Sequence, residues 1–379
     1  MQLESVDGVA AFETLRQTAA EDPTVTVSAV LVAAIALVGL VVLFRWYRRS
    51  EADRFVAAIE ECDSVSILMH PDPDPDSMAA AMGVGALVEQ AGTRATLQYP
   101  GKIRRSENRA FETVLDCSFD RIESADELAA DTVVLVDHNS PRGFDGAEDL
   151  DPYAVVDHHP GNGDGEMFTD IRPDRGACAG IVGEYLRDRG WTAEQDGGPT
   201  IPPELATALL YGIQSDTTAF TRGCTDAEFD VAAFLFPAAD SGKLDRIAHP
   251  ELDTETLEIK SRAIDRRTHD GPFLVSHVGS LSNREALAVA AEELVRLEGV
   301  TAAIVTGEND GALHISGRSR DDRVHMGKVL QTALSGIDGA SAGGHSRMGG
   351  GQTPLPPPTG RGSHPQLTNR LFESMHGSV

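Results

Sequence analysis

The segment HPDPDPDS, His70 to Ser77, sets one imidazole and three carboxylates (Asp72, Asp74, Asp76) at every second position. Further along, LVDH ends in Asp137 and His138, VVDHHPGNG contains Asp157, His158 and His159, and YGIQSDTTAF contains Asp216. Carboxylates with imidazoles suit Mn²⁺, Fe²⁺ or Zn²⁺, and a carboxylate-rich set leans toward Mn²⁺. Two such cations about 3.5–4 Å apart, sharing a carboxylate, activate water and clamp a phosphoryl group. Taken singly, each residue has a plainer explanation. An isolated Asp-His pair at a strand end is more often a turn or helix cap than a ligand, and Asp216 reads equally well as a cap. His138 reads better as a support for ligands than as one. The ensemble favours a metal centre, with the consecutive Asp-His-His as its firmest element.

These residues need elements that bring them together. SVSILM (Ser64–Met69), TVVLVDH (Thr132–His138) and YAVVDHH (Tyr153–His159) read as buried strands, so His70, Asp137 and Asp157 each sit where a strand ends. The prolines of HPDPDPDS keep that segment extended and oppose premature helix formation. EADRFVAAIEEC reads as a short helix, Ser77–Gln90 as a longer one, and TRATLQY as another strand. Helical patterns follow at Ala179–Arg189 and Pro203–Gln214. Strands alternating with helices predict an α/β fold, a parallel sheet with flanking helices on both faces. Such sheets bind ligands beyond the carboxyl ends of their strands.

A second, smaller α/β unit follows a predicted helical linker, Thr254–Arg267. Its segments GPFLVSHVG, REALAVAAEELVRL, VTAAIVTGE, GALHISGRS and VHMGKVLQTAL read as strand, helix, strand, strand, helix. They close in ASAGGHSRMGGGQ. Gln352–Ser363 is Pro/Gly-rich and reads as unpacked, and the last 16 residues as a frayed helix.

The 379 residues are enough for two domains, and 41% apolar content supports sizeable cores. A net charge of −27 argues against a broad nucleic-acid-binding surface. Lysine occurs only at Lys102, Lys243, Lys260 and Lys328. Acidity with so little lysine resembles proteins of extreme halophiles, a statement of habitat rather than activity, and points to a haloarchaeal origin. Cys62, Cys117, Cys178 and Cys224 show no C-x-x-C spacing and read as reduced, mostly buried thiols.

Val25–Phe44 is an uncharged apolar run of 20 residues, long enough to cross a bilayer. Arg45, Arg48 and Arg49 follow at once, with Trp46 and Tyr47 suited to the interface. A cleaved signal peptide would carry a basic region before a shorter apolar stretch. The reading is one N-terminal transmembrane helix at the cell membrane, with the N-terminus outside and the catalytic part cytoplasmic. The expected organisation is an extracytoplasmic 1–24, a span at 25–45, a catalytic domain at 51–250, a linker at 251–268, a substrate-binding domain at 269–352 and a tail at 353–379.

HPDPDPDS, LVDH, VVDHHPGNG and GIQSDTT resemble, in order, the four motifs of the DHH phosphoesterase family. SAGGH is similar to the glycine-rich signature of the DHH-associated C-terminal domain. The resemblance runs from about Ser64 to Gly351. It implies one metal on His70, Asp74 and Asp137 and another on Asp76, Asp137, His158 and Asp216, two divalent ions of the Mn²⁺ type bridged by Asp137. It further implies that Asp157 orients His158, that His159 faces the substrate phosphate, and that Arg318, Gly343, Gly344 and His345 contact substrate. Asp72 falls between ligand positions. Relatives often carry Ser or Thr where this chain has GACAG (Gly176–Gly180), which puts a hydroxyl contact to substrate in doubt. Arg320 has no assignable role.

The resemblance implies hydrolysis of phosphoesters by in-line attack of a hydroxide. Within that family, size and the glycine-rich second domain fit enzymes of small nucleotides: short oligonucleotides (nanoRNase), pAp or cyclic di-AMP. A single-strand exonuclease would want a basic channel, and none is evident past residue 49. Pyrophosphate or polyphosphate hydrolases gather more Lys and Arg in the second domain. A membrane-tethered nucleotide sensor without catalysis is the alternative of another class. The expected partners are a small nucleotide or short oligonucleotide, the membrane, and a second copy in a homodimer, with long duplex nucleic acid excluded.

Overall fold

The computed structural model describes residues 49–193, 197–355 and 364–377, with a few helical positions between 27 and 36. The main division of the chain falls between Ala248 and His249.

The first unit opens with α1 (Glu51–Ile59), capped by the Ser50 side chain. A six-stranded, wholly parallel sheet follows. It contains β1 (Ser64–Leu68), β2 (Arg94–Pro100), β3 (Asp120–Ile122), β4 (Val133–Val136), β5 (Ala154–Asp157) and β6 (Phe168–Ile171), in the order β3-β2-β1-β4-β5-β6. The order reverses between β1 and β4, the place where such sheets open a crevice at their carboxyl ends. The helices are α2 (Pro75–Gln90), α3 (Ser106–Leu115), α4 (Cys178–Asp188), α5 (Pro203–Asp216), α6 (Asp226–Leu235) and α7 (Ser241–Ala248).

The expectation of helices on both faces is corrected. Along the central strands alternate side chains part company: Val65, Ile67, Val134, Val136, Ala154 and Val156 join one apolar cluster, which takes in residues of all seven helices. Leu68, Val133, Leu135 and Val155 face the other way, under Leu128, Phe144 and Leu150. Those three come from the β3–β4 and β4–β5 connections, which form only one-turn 3₁₀ segments (Ala125–Glu127 and Ala147–Asp149).

In the second unit, α8 (Thr254–Asp265) is followed by β7 (Arg267–Asp270), β8 (Phe273–Ser280), α9 (Ala286–Leu294), β9 (Ala302–Asn309), β10 (Ala312–Ser319), α10 (Met326–Leu334), β11 (Ser341–Gly344), β12 (Met348–Pro354) and α11 (His364–His376). The sheet order is β11-β12-β10-β9-β8-β7, with β8 and β9 parallel and the other pairs antiparallel. Two expectations change here. The helical linker is part of this unit: Ile259 and Ala263 of α8 are buried in one of its cores, and β7 begins before residue 269. The frayed tail helix is α11, which buries Leu367, Leu371, Phe372 and Met375 in the other core. Apolar residues at that spacing form one helical stripe.

Among the described residues no helix is long and apolar enough to cross a membrane. The span read at Val25–Phe44 lies largely outside the described residues. The cysteines are free thiols, Cys178 fully buried.

Candidate metal centre

The proline-spaced aspartates have three different fates. Asp72 is exposed, adopts a left-handed φ of +56°, and its Oδ1 accepts from the Lys102 backbone amide at 2.9 Å, tying the loop down. Asp74 is the N-cap of α2. Its Oδ1 accepts from Ser77 N at 3.1 Å while Ser77 Oγ accepts from Asp74 N at 3.1 Å, and Pro75 opens the helix where a missing N–H costs nothing. Asp76 lies in the first helical turn, fully buried. Its carboxylate accepts from the backbone amides of Cys178 (2.7 Å) and Ala179 (2.8 Å) at the start of α4. Ala177, the N-cap of α4, provides no side-chain cap, so Asp76 from another helix satisfies those amides.

Around this segment the other predicted ligands converge. His70 Nε2 lies 3.6 Å from Asp74 Oδ1 and 3.4 Å from Asp137 Oδ2. His158 Nε2 lies 3.3 Å from Asp137 Oδ1, 3.5 Å from Asp216 Oδ2 and 3.7 Å from Asp76 Oδ2. Ligand atoms about 2.0–2.2 Å from a shared cation stand roughly 3–3.6 Å apart, which matches these spacings. Asp137 gives one carboxylate oxygen to each group and is 1% exposed. It sits just past β4 with a left-handed φ of +62°, a conformation Asp tolerates better than most residues and one concentrated at functional sites.

The electrostatics are those of a cation site. Burial opposes charge on His70, yet hydrogen bonding and attraction to Asp137 and Asp74 prevail and raise its imidazole to about 11. His158 is likewise opposed by burial and carried up to about 12 by Asp137, Asp216 and Asp76. Burial alone would raise Asp137, but the two imidazoles hold its carboxyl below the usual range. Asp76 is pushed up by burial and by Asp137 and Asp216. Asp137 Oδ1 and His158 Nε2 are both buried without a hydrogen-bond partner. Such orphans cost about 1–3 kcal/mol each, and ligation of one cation would satisfy both. Ligand atoms converge in the groups His70–Asp74–Asp137, Asp76–His158–Asp216 and Asp137–His158–His159, a donor set that fits divalent cations.

The expectation that Asp157 orients His158 is corrected. His158 Nδ1 faces the backbone carbonyl of Arg175 at 3.2 Å. Asp157 instead accepts from the amide of His159 (3.0 Å), meets its Nδ1 (3.0 Å), and accepts from Asn139 Nδ2 (2.7 Å). The Asp157 hydrogen bond is the main cause of a raised His159 imidazole. His138 stays out of the ligand set: it is buried, its Nδ1 meets Val136 O at 2.9 Å, and burial lowers it to about 4.

Two family models match parts of the chain: "DHH family, N-terminal domain" over residues 64–213 and "DHHA1 domain" over residues 270–361. The chain belongs to the DHH family. An uncharacterized protein of Methanocaldococcus jannaschii is 34% identical over 290 residues, spanning 76% of this chain and 58% of its own. A cyclic-di-AMP phosphodiesterase of Geobacillus thermodenitrificans is 26% identical over 309 residues, spanning 76% and 44%. This chain thus spans about half the length of these relatives. Shorter matches include proteins named as manganese-dependent inorganic pyrophosphatases and a bifunctional oligoribonuclease and PAP phosphatase. In fold, the chain is similar to an exopolyphosphatase-related protein from Bacteroides fragilis (TM-score 0.63, 15% identity, covering 86% of this chain and 96% of that one).

In the DHHA1 domain, Arg318 of β10 is engaged within its own unit, its Nε 3.0 Å and Nη2 2.9 Å from Glu292 Oε1 of α9. Gly344 has φ +138°, and a Cβ there would lie 2.3 Å from Met348 O, so the β11–β12 hairpin needs glycine at this point. Gly343 has open space around it. His345 is exposed in the hairpin turn, its amide donating to Met348 O at 2.8 Å. Arg320 is exposed.

Several contributors escaped sequence reasoning. Asn139 holds Asp157, and Gly161 and Gly163 of HHPGNG pack so close that any side chain would collide with Asn139; the Asn and the two glycines were the available signal. Arg175 positions His158 through a carbonyl, which has no sequence signal. Its loop is fixed by a partly buried network in which Arg172 bonds Asp170 and Glu184, Arg175 bonds Glu184, and the Tyr185 hydroxyl donates to Asp170.

Proposed function

We propose that this chain is a membrane-anchored, metal-dependent phosphoesterase acting on small nucleotides: short oligonucleotides, pAp or cyclic dinucleotides. The observation that carries the reading is Asp137, whose two oxygens are divided between the His70 and His158 groups. Divalent cations bound there, Mn²⁺ by the carboxylate-rich donor set and by the names of relatives, lower the pKa of water and neutralise phosphoryl charge. His70, Asp74, Asp76, Asp137, His158 and Asp216 hold that charge in place. His159, tethered by Asp157 and half-exposed, presents its remaining ring nitrogen as a donor to a phosphate oxygen. Arg318, Gly343, Gly344 and His345 supply the substrate contacts of the DHHA1 domain. Arg318 then exchanges Glu292 for a phosphate, which a guanidinium binds in two-pronged fashion.

The N-terminal run supports the anchor. The described helical positions in it expose Val27, Leu31, Val32 and Ile35, an apolar surface that a bilayer would cover. Among the relatives, the cyclic-di-AMP phosphodiesterase matches over 76% of this chain, which supports a nucleotide substrate over an inorganic one.

The test is a product panel. The purified chain with Mn²⁺ at high salt is given pApA, pAp, cyclic di-AMP, pyrophosphate and single-stranded DNA. Release of mononucleotides or of 3′-phosphate is expected, and EDTA should abolish it. Orthophosphate from pyrophosphate alone would favour the inorganic hydrolase reading. Tight nucleotide binding with no product would make the chain a sensor.

A further inference from the structure

The DHHA1 domain holds a second convergence of metal-ligating side chains. His277 of β8, Glu308 of β9 and His364, the first residue of α11, bring ligand atoms within 4.8 Å of one another. Glu308 Oε1 lies 3.2 Å from His364 Nε2 and 3.6 Å from His277 Nε2. The two rings pack with centroids 4.2 Å apart. All three side chains are about one-third exposed, so water can reach them.

We propose that His277, Glu308 and His364 bind a divalent transition-metal ion, Zn²⁺ by donor type, which pins the start of α11 to the sheet. Two imidazoles and a carboxylate leave a fourth position to water, a common zinc arrangement, and ligand atoms about 2.0–2.1 Å from a tetrahedral ion stand roughly 3.3 Å apart. The tautomer is set for it. Thr306 Oγ1 lies 3.4 Å from the Ser276 carbonyl, to which it donates, and 3.0 Å from His277 Nδ1. A hydroxyl has one proton, so it accepts from Nδ1–H and leaves the Nε2 lone pair free beside Glu308. The register shift of β8 between His277 and Ser280 re-aims this part of the strand, as β-bulges do. An ion pair with Glu308 accounts for one imidazole. The second ring, tilted 40° against the first, reaches the same Glu308 oxygen; two imidazolium ions that close would repel, whereas a metal ion takes both rings neutral.

The experiment uses the full chain and Zn²⁺, with Co²⁺ as a spectroscopic stand-in. After equilibrium dialysis, His277→Ala, Glu308→Gln and His364→Gln should each retain one metal equivalent fewer than the unaltered chain, or bind it at least tenfold more weakly. Co²⁺ should give the intense visible band of four-coordination in the unaltered chain and lose it in His364→Gln. Zn²⁺ should slow amide hydrogen exchange of Leu367–Met375 in the unaltered chain and not in the three ligand variants. The control is His376→Ala at the far end of the same helix, which should keep the full metal count; an equal loss there would mean that helix detachment, not ligation, lowers the count. Identical metal content in all variants, or exchange of α11 indifferent to Zn²⁺, would overturn the proposal.

Discussion

At the scale of single residues, Asp137 and Asp157 are buried carboxylates whose removal should have different consequences. Asp137 touches both imidazoles, so Asp137→Asn should reduce bound metal and eliminate turnover, measured by metal analysis and product release. Full activity in that variant would refute the bridging assignment. Asp157 orients His159 and not His158. Asp157→Asn should therefore keep its metal while losing about 10–100-fold in kcat, the usual cost of removing a positioning hydrogen bond. Loss of metal in Asp157→Asn would return Asp157 to the role the motif alone suggests. The ligand set was legible in the sequence because its members stand at strand ends in short, densely patterned motifs. The orienting group was not, because any residue at position 175 offers the same carbonyl. Adjacent histidines likewise leave open which ring a neighbouring carboxylate will reach, and Asp157 reaches His159.

At the scale of elements, the metal centre depends on how closely three helices approach. The Ala-rich first half of α2 (Met78 to Gly83) lies against α4 and α5. A Cβ on Gly212 would meet Ala179 Cβ at 2.9 Å, Ala79 Cβ at 3.0 Å and Pro75 O at 3.2 Å. One methyl there must push α5 away from the helix start that carries Asp74 and Asp76, while Asp216 is the last residue of α5. Gly212→Ala should destabilise the unit by about 1–3 kcal/mol, the usual cost of overpacking. It should also weaken metal binding, checked by urea unfolding with and without Mn²⁺. Unchanged affinity alongside lowered stability would separate packing from site geometry. The small-residue run was readable as a helix, yet its purpose was not, since one sequence does not show which helix it meets. The strands' apolar runs likewise read as buried on both faces without disclosing that loops, not helices, cover one of them. The stripe Leu367, Leu371, Phe372 and Met375 was visible in the tail. The sequence reads there as a frayed helix, because a stripe of four apolar residues does not by itself show the core that receives it.

At the scale of the whole molecule, the net charge of −27 sets the conditions under which everything else operates. Like charges spread over a folded surface repel, and unfolding relieves the repulsion by moving them apart. Salt shortens the reach of that repulsion from about 10 Å at 0.1 M to about 3 Å at 1 M. Asp76 and Asp137, the two carboxylates at the heart of the centre, are too buried to be screened in the same way, so salt should act on the surface more than on the metal centre. Raising KCl from 0.1 to 2 M at fixed Mn²⁺ should therefore raise the Tm, by about 2.5 °C if 2 kcal/mol is recovered in a chain of this size. Metal content should stay constant over the same range. A flat or falling Tm would remove the halophilic reading and leave the acidity without a physical role in stability. A parallel loss of metal would show that the centre is more open to solvent than the 1% exposure of Asp137 implies.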